Sequence, residues 1–138
     1  YRTQAPPALV GDLAISVRSQ QTHLVRAQGL VQRETVRAVS ERLGWRVGRS
    51  GATQLVVTLD PEEFAATAHD NRGVPQRSRI TLRGSALLTG PDGHAQTTFS
   101  ASGSASGTAD EPEALAEAAR GVGDALAAWL EGAPWQRR

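Results

Sequence analysis

The chain has no cysteine, which excludes disulfides, thiolate nucleophiles and cysteine-ligated metals together. It has no methionine either, initiator included, so the expectation is of a mature or trimmed form with any export signal upstream of Tyr1. Lysine is absent as well. All 15 basic residues are arginine, which reads mainly as a GC-rich coding bias, although the planar guanidinium also suits phosphate and carboxylate contacts better than an ammonium does. No apolar run approaches the roughly 20 residues that a membrane-spanning helix needs. An excess of one charge is missing too: 14 acidic residues are interleaved with the basic ones for a net +1, which argues against a nucleic-acid module with a strongly basic face.

What is present suits one domain, since 138 residues can bury a modest core without staples. Residues 1–10 carry Pro6-Pro7 and little periodicity and read as an extended lead-in; 11–132 read as the domain and 133–138 as a tail. Residues 12–18 alternate at period two, with Leu13, Ile15 and Val17 on one side, as a strand does. Residues 28–43 switch to helical spacing, with Val36, Val39 and Leu43 as the apolar stripe, Glu34–Arg37 and Arg37–Glu41 as surface pairs, and Gly44 at the C-terminal cap position. Residues 54–68 alternate again, interrupted at Asp60-Pro61, where a bulge or kink is expected because proline cannot donate to a ladder. Residues 76–88 form the clearest strand; Gly90-Pro91-Asp92-Gly93 is a hairpin turn, and a strand of small and polar residues returns around Phe99. The last helix has Asp110 as N-cap, Glu113 three residues on, Pro112 in its first turn, and Leu115, Ala119, Val122, Leu126, Trp129 and Leu130 at helical spacing, with Gly132 and Pro134 ending it. The order β-α-β-β-β-α predicts an α+β two-layer sandwich, with one mostly antiparallel four-stranded sheet and two helices on one of its faces.

Catalytic constellations are not legible. His23, His69 and His94 fall in no metal-binding spacing, and His69-Asp70 are neighbours in sequence only. Glu62-Glu63 follow the Asp60-Pro61 break, while Glu111 and Glu113 suit a helix N-terminus. The expectation is a non-enzymatic domain without metal or cofactor. Two patterns ask for another explanation. Arg72, Arg77, Arg79 and Arg83 fall within a dozen residues with no acid between them, the composition of a site for an anionic group such as a lipid phosphate, and equally that of a solvated sheet face. The run Ser100-Ala101-Ser102-Gly103-Ser104-Ala105-Ser106-Gly107 keeps period two, so it reads as a strand whose small side chains allow another surface close, or as a weakly formed one.

These stretches, in this order, resemble the LPS-assembly lipoprotein family (LptE), whose members sit inside the outer-membrane β-barrel of the lipopolysaccharide translocon. The matching pieces are the strand Asp12-Leu13-Ala14-Ile15-Ser16-Val17, the helix over 33–43, and Ala66-Thr67-Ala68-His69-Asp70 leading through Asn71-Arg72-Gly73 into Arg79-Ile80-Thr81-Leu82. The Pro91-Asp92-Gly93 turn and the helix over 115–130 complete a match to residues 9–130, carried by pattern and order rather than by a diagnostic motif. The resemblance implies a lipid anchor upstream of Tyr1, a location at the periplasmic face of the outer membrane, an LptD-like barrel partner, and lipopolysaccharide as ligand. It places Arg72 at the family's basic loop position, with Arg77, Arg79 and Arg83 as further candidates for lipopolysaccharide contact. Thr81, Ser85, Ser100, Ser102 and Ser104 are the candidates for facing the barrel wall. The family's second basic position, near the start of the last helix, is here the acidic stretch Asp110-Glu111-Pro112-Glu113. The alternatives are another envelope lipoprotein, such as a peptidoglycan-synthase activator behind a long tether, a soluble lipid carrier with a cavity between helices and sheet, and a small hydrolase or transferase.

Overall fold

Alternating apolar residues build the sheet, and one helical stripe each brings two helices onto it. The computed structural model describes residues 13–19, 25–49, 51–61, 63–69, 75–91, 93–106, 111–132 and 136–137. The elements are β1 (Leu13–Ser19), α1 (Val25–Leu43), β2 (Val47–Gly48), β3 (Thr53–Leu59), β4 (Glu63–His69), β5 (Pro75–Gly90), β6 (Gly93–Ser106), α2 (Glu111–Glu131) and β7 (Gln136–Arg137). They form one mixed sheet in the order β2-β1-β3-β5-β6-β7, with β4 also paired to β5. The α+β fold expected from the sequence is present. It differs in detail: β1 pairs in parallel with both β2 and β3, while β3, β4 and β6 run antiparallel to β5.

The expected break at Asp60-Pro61 divides one long strand into β3 and β4. Both lie along the same edge of the 16-residue β5, with Leu59 opposite Gly84 and Glu63 opposite Thr81. The Asp60 N–H still donates to the Arg83 carbonyl at 2.8 Å, and Pro61, next along, has no N–H to offer. β4 then shifts register twice, between Ala66 and Ala68 and between Ala68 and His69. Pro75 opens β5, a position where the missing donor costs little.

Every long strand outside β4 buries the same face. Leu13, Ile15 and Val17 of β1, Leu55, Val57 and Leu59 of β3, Ile80, Leu82, Ala86 and Leu88 of β5, and Ala95 and Phe99 of β6 pack beneath the helices. α1 starts at Val25, before the expected residue 28, because Ala27 and Val31 extend its stripe N-terminally. Its buried line is Ala27, Val31, Thr35, Ala38 and Val39, with Val36 and Leu43 only half-buried at its margin. Gly44 ends the helix at φ 67°, its N–H donating to the Ser40 carbonyl at 3.1 Å, the left-handed cap that glycine takes without steric cost. α2 buries Leu115, Ala119, Val122, Leu126 and Leu130 as expected, and Trp129 is half-buried against the same core. Fully burying each such leucine contributes about 1.5–3 kcal/mol, so the amphipathic stripe outweighs any intrinsic helix propensity. Gln28 and Gln32 tie α1 to β1 by donating to the Val17 and Ile15 carbonyls at 2.6 and 2.8 Å. The expected lead-in over 1–10, the Asp110 cap and the Asn71-Arg72-Gly73 loop tip lie outside the described residues.

Candidate functional site

Both helices cover one face, the described residues leave the other face of the sheet open, and the registry decides which side chains share it. Across β1, β3, β5 and β6, one row reads Arg18, Thr58, Ser85 and Thr98, and the next reads Ser16, Val56, Leu87 and Gln96. Further along β5 and β6, Arg83 stands opposite Ser100, Thr81 opposite Ser102, Arg79 opposite Ser104, and Arg77 opposite Ser106. The arginine strand and the serine strand singled out from the sequence are therefore the two arms of one hairpin. Residues 77–83 pair directly with 100–106.

The side chains there behave differently from one another. Thr81 and Ser102 share a hydrogen bond at 2.9 Å across the strands. Arg83 forms an ion pair with Glu63 of β4 at 3.2 Å, with both partners more than half exposed, so the contact is worth little to stability but does offset the charge of Arg83. Arg79 is exposed and has no acidic partner among the described residues, and the same holds for Arg18. Ser85, Ser100 and Ser104 are exposed. Arg77 is placed by its backbone register, and Arg72 lies outside the described residues. Sequence reasoning missed Glu63 as a partner for Arg83, because the acid comes from a neighbouring strand 20 residues away. It also missed Arg18, which a β1 window shows as an isolated cation.

An open trough of about 580 Å³ runs across this face, lined by Arg18, Val56, Thr58, Ser85, Leu87 and Gln96 among others. Its floor is mixed: hydroxyl and amide groups surround Val56 and Leu87, and Leu87 is 38% exposed, the large hydrophobic residue that stands out on the described surface. No acid lines it. It lies on the side away from the helices, whereas a carrier of a hydrophobic metabolite needs its cavity between the layers.

Titratable groups with shifted pKa values lie elsewhere. Hydrogen bonds to Glu34, then Asp124, push the Arg37 guanidinium up, and the hydrogen bond from Arg42 holds Glu131 below the usual carboxylate range. These are ion pairs along the outer seam between α1 and α2. Among the described residues no group of three or more His, Asp or Glu could hold a metal ion, and no helix is long and apolar enough to cross a membrane. His94 is half-buried opposite Thr89, and His69 ends β4; His23 lies outside the described residues.

No family model matches the chain, and neither does any curated protein. Among solved structures, the crystal structure of a minor lipoprotein from Acinetobacter baumannii superposes with a TM-score of 0.55 at 6% identity, covering 92% of this chain and 96% of that one. The two chains share a fold. A more distant likeness is to rare lipoprotein B from Shewanella oneidensis, with a TM-score of 0.40 and 14% identity over 85% of this chain and 89% of that one. Both neighbours are bacterial lipoproteins, and at these identities what is common with the first is architecture.

Proposed function

We propose that this chain is the folded domain of a bacterial envelope lipoprotein. In this reading it is non-catalytic and acts as the plug of an LptD-like outer-membrane β-barrel in lipopolysaccharide export. The observation that carries it is the division of the molecule into a helix-covered face and an open sheet face. The open face, of hydroxyl, amide and arginine side chains around Val56 and Leu87, suits a wet, close contact with a polar barrel lumen. Ser85, Ser100, Thr81, Ser102 and Ser104 would meet the wall, and their small size lets the two surfaces approach. Arg72, Arg77, Arg79 and Arg83 would lie toward the lipid's phosphates. Among the three in β5, Arg83 is already engaged by Glu63, which leaves Arg79 the better candidate for an anionic partner. The shared fold with a minor lipoprotein supports a lipid-anchored envelope location, and the resemblance of sequence pattern supports the periplasmic face of the outer membrane. The test is affinity capture of the full-length, natively lipidated protein from detergent-solubilised envelopes, followed by mass spectrometry. A stoichiometric large β-barrel protein is the expected companion; a cell-wall synthase in its place, or no companion at all, ends the plug reading.

A further inference from the structure

A strand at the rim of a sheet presents unpaired N–H and C=O groups to any other strand that meets it. β1 is in that position along most of its length. β2 is two residues long and pairs only with Leu13 and Ala14, and among the described residues no strand continues past it beside residues 15–19. Backbone groups alternate sides along a strand, and the Leu13 N–H points outward, since it donates to the Arg46 carbonyl at 2.8 Å. Ile15 and Val17 therefore also turn their backbone groups to the rim, while Ser16 and Arg18 turn theirs to β3. The usual protections of a rim are missing from β1. It has no proline and no register shift against β3, and its one charged residue, Arg18, lies on the open sheet face.

Helix α1 supplies what the strand lacks. The side-chain amide of Gln32 donates to the Ile15 carbonyl at 2.8 Å, and that of Gln28 donates to the Val17 carbonyl at 2.6 Å. Helix number rises from 28 to 32 as strand number falls from 17 to 15, so α1 runs antiparallel to β1. Four residues of helix advance about 6 Å and two residues of strand about 6.6 Å, so glutamines at i and i+4 meet successive outward carbonyls. A neighbouring strand would bring its N–H donors at nearly the same interval. Neither glutamine is needed to fill the core. Both are only half-buried, and the buried line of the helix is made by other residues, Val31 and Val39 among them.

We infer that Gln28 and Gln32 act as a surrogate strand that closes the β1 rim, barring strand addition by a second chain while α1 is seated. β2 covers the start of the rim, and the two amides take over at Ile15 and Val17. The device belongs to the isolated domain and uses none of the open sheet face, so it can fail while the plug reading stands, and the reverse.

Gln28→Ala combined with Gln32→Ala removes both donors. Val39→Ala, at a fully buried position of the same helix, removes core packing and leaves the rim closed, so it controls for lost stability alone. Sedimentation equilibrium from low to high micromolar concentration, with amide exchange read at residues 15–19, compares both with the unmodified chain. Both variants are expected to lower the urea midpoint, but only the glutamine double variant is expected to gain mass with concentration. In its associated form the amides of 15–19 should exchange about tenfold more slowly or less, as the exposed rim pairs with another strand. If the double variant does not fold, Gln32→Ala alone carries the same comparison. A glutamine variant that sediments like the unmodified chain at every concentration overturns the inference, and so does equal association of Val39→Ala. Association that leaves 15–19 unprotected, as pairing through β6 would, overturns it too. An unmodified chain that itself gains protection at 15–19 as concentration rises shows the rim to be open and has the same consequence.

Discussion

At the residue scale, two glycines inside helices show how packing decides the sign of one substitution. Gly29 in α1 is exposed, with no atom within 4 Å of where a Cβ would stand. Gly123 in α2 is buried at the crossing with α1, and a Cβ there would lie 2.6 Å from the Glu34 carbonyl oxygen and 2.7 Å from its carbon. Alanine is the better helix former by about 0.5–1 kcal/mol, and at Gly29 nothing opposes that gain. At Gly123 the obstructing atoms are backbone, which cannot rotate away, and overpacking of this kind costs about 1–3 kcal/mol, more than the propensity returns. Gly29→Ala is therefore expected to raise the urea midpoint and Gly123→Ala to lower it. Equal midpoints for Gly123→Ala and the unmodified chain would mean that the two helices are not in contact there. The same crossing buries the Thr35 hydroxyl with no hydrogen-bond partner among the described residues, which fits a seam selected for closeness over polar satisfaction.

At the scale of elements, the α1–α2 pair is closed on its outer side by arginines. Arg37 of α1 reaches Glu34 at 3.0 Å, Glu41 at 2.9 Å and Asp124 of α2 at 3.1 Å, while Arg42 grips both carboxylate oxygens of Glu131. The intrahelical pairs Glu34–Arg37 and Arg37–Glu41 were legible in the sequence because helical spacing alone brings i+3 and i+4 together. The interhelical partners were not, since residues 87 and 89 positions apart meet only through the fold. Glu131 has a folded-state pKa below its ordinary value, so its pair with Arg42 contributes above the unfolded carboxylate pKa of about 4.3 and is lost as pH falls through the lower folded value. The expected consequence is that Glu131→Gln lowers Tm slightly at neutral pH and that the difference from the unmodified chain closes toward pH 3. A difference that is constant across the titration would show that the carboxylate's charge is not what matters.

For the whole molecule, what could be read in advance divides by the range of the interactions. Strand faces, the turn before Gly93, the break at Asp60-Pro61 and the stripe of α2 follow from neighbours within one element, and the sequence shows them directly. The parallel pairing of β1 with β3 does not, because nothing local tells a strand which way its partner runs, and the splitting of one strand into β3 and β4 becomes meaningful only once both are seen on β5. The candidate residues divide in the same way. Period two was enough to align Arg79, Thr81, Arg83 and Ser85 on one side of a strand, but only registry sets them against Ser104, Ser102, Ser100 and Thr98. Registry likewise brings Arg18 into the same field and sets Leu87 between Val56 and Gln96. That position makes Leu87 the residue on which the plug reading is most exposed to test. A leucine that is 38% exposed in a polar face adds little to the core, so Leu87→Glu should leave stability within about 0.5 kcal/mol. If the face is instead covered in the assembled state, a carboxylate buried against the lumen wall without a partner is costly, and recovery of the barrel with the variant should fall by about tenfold or more. Undiminished recovery with Leu87→Glu would place the barrel contact on some other surface, even if a barrel protein does accompany the unmodified chain.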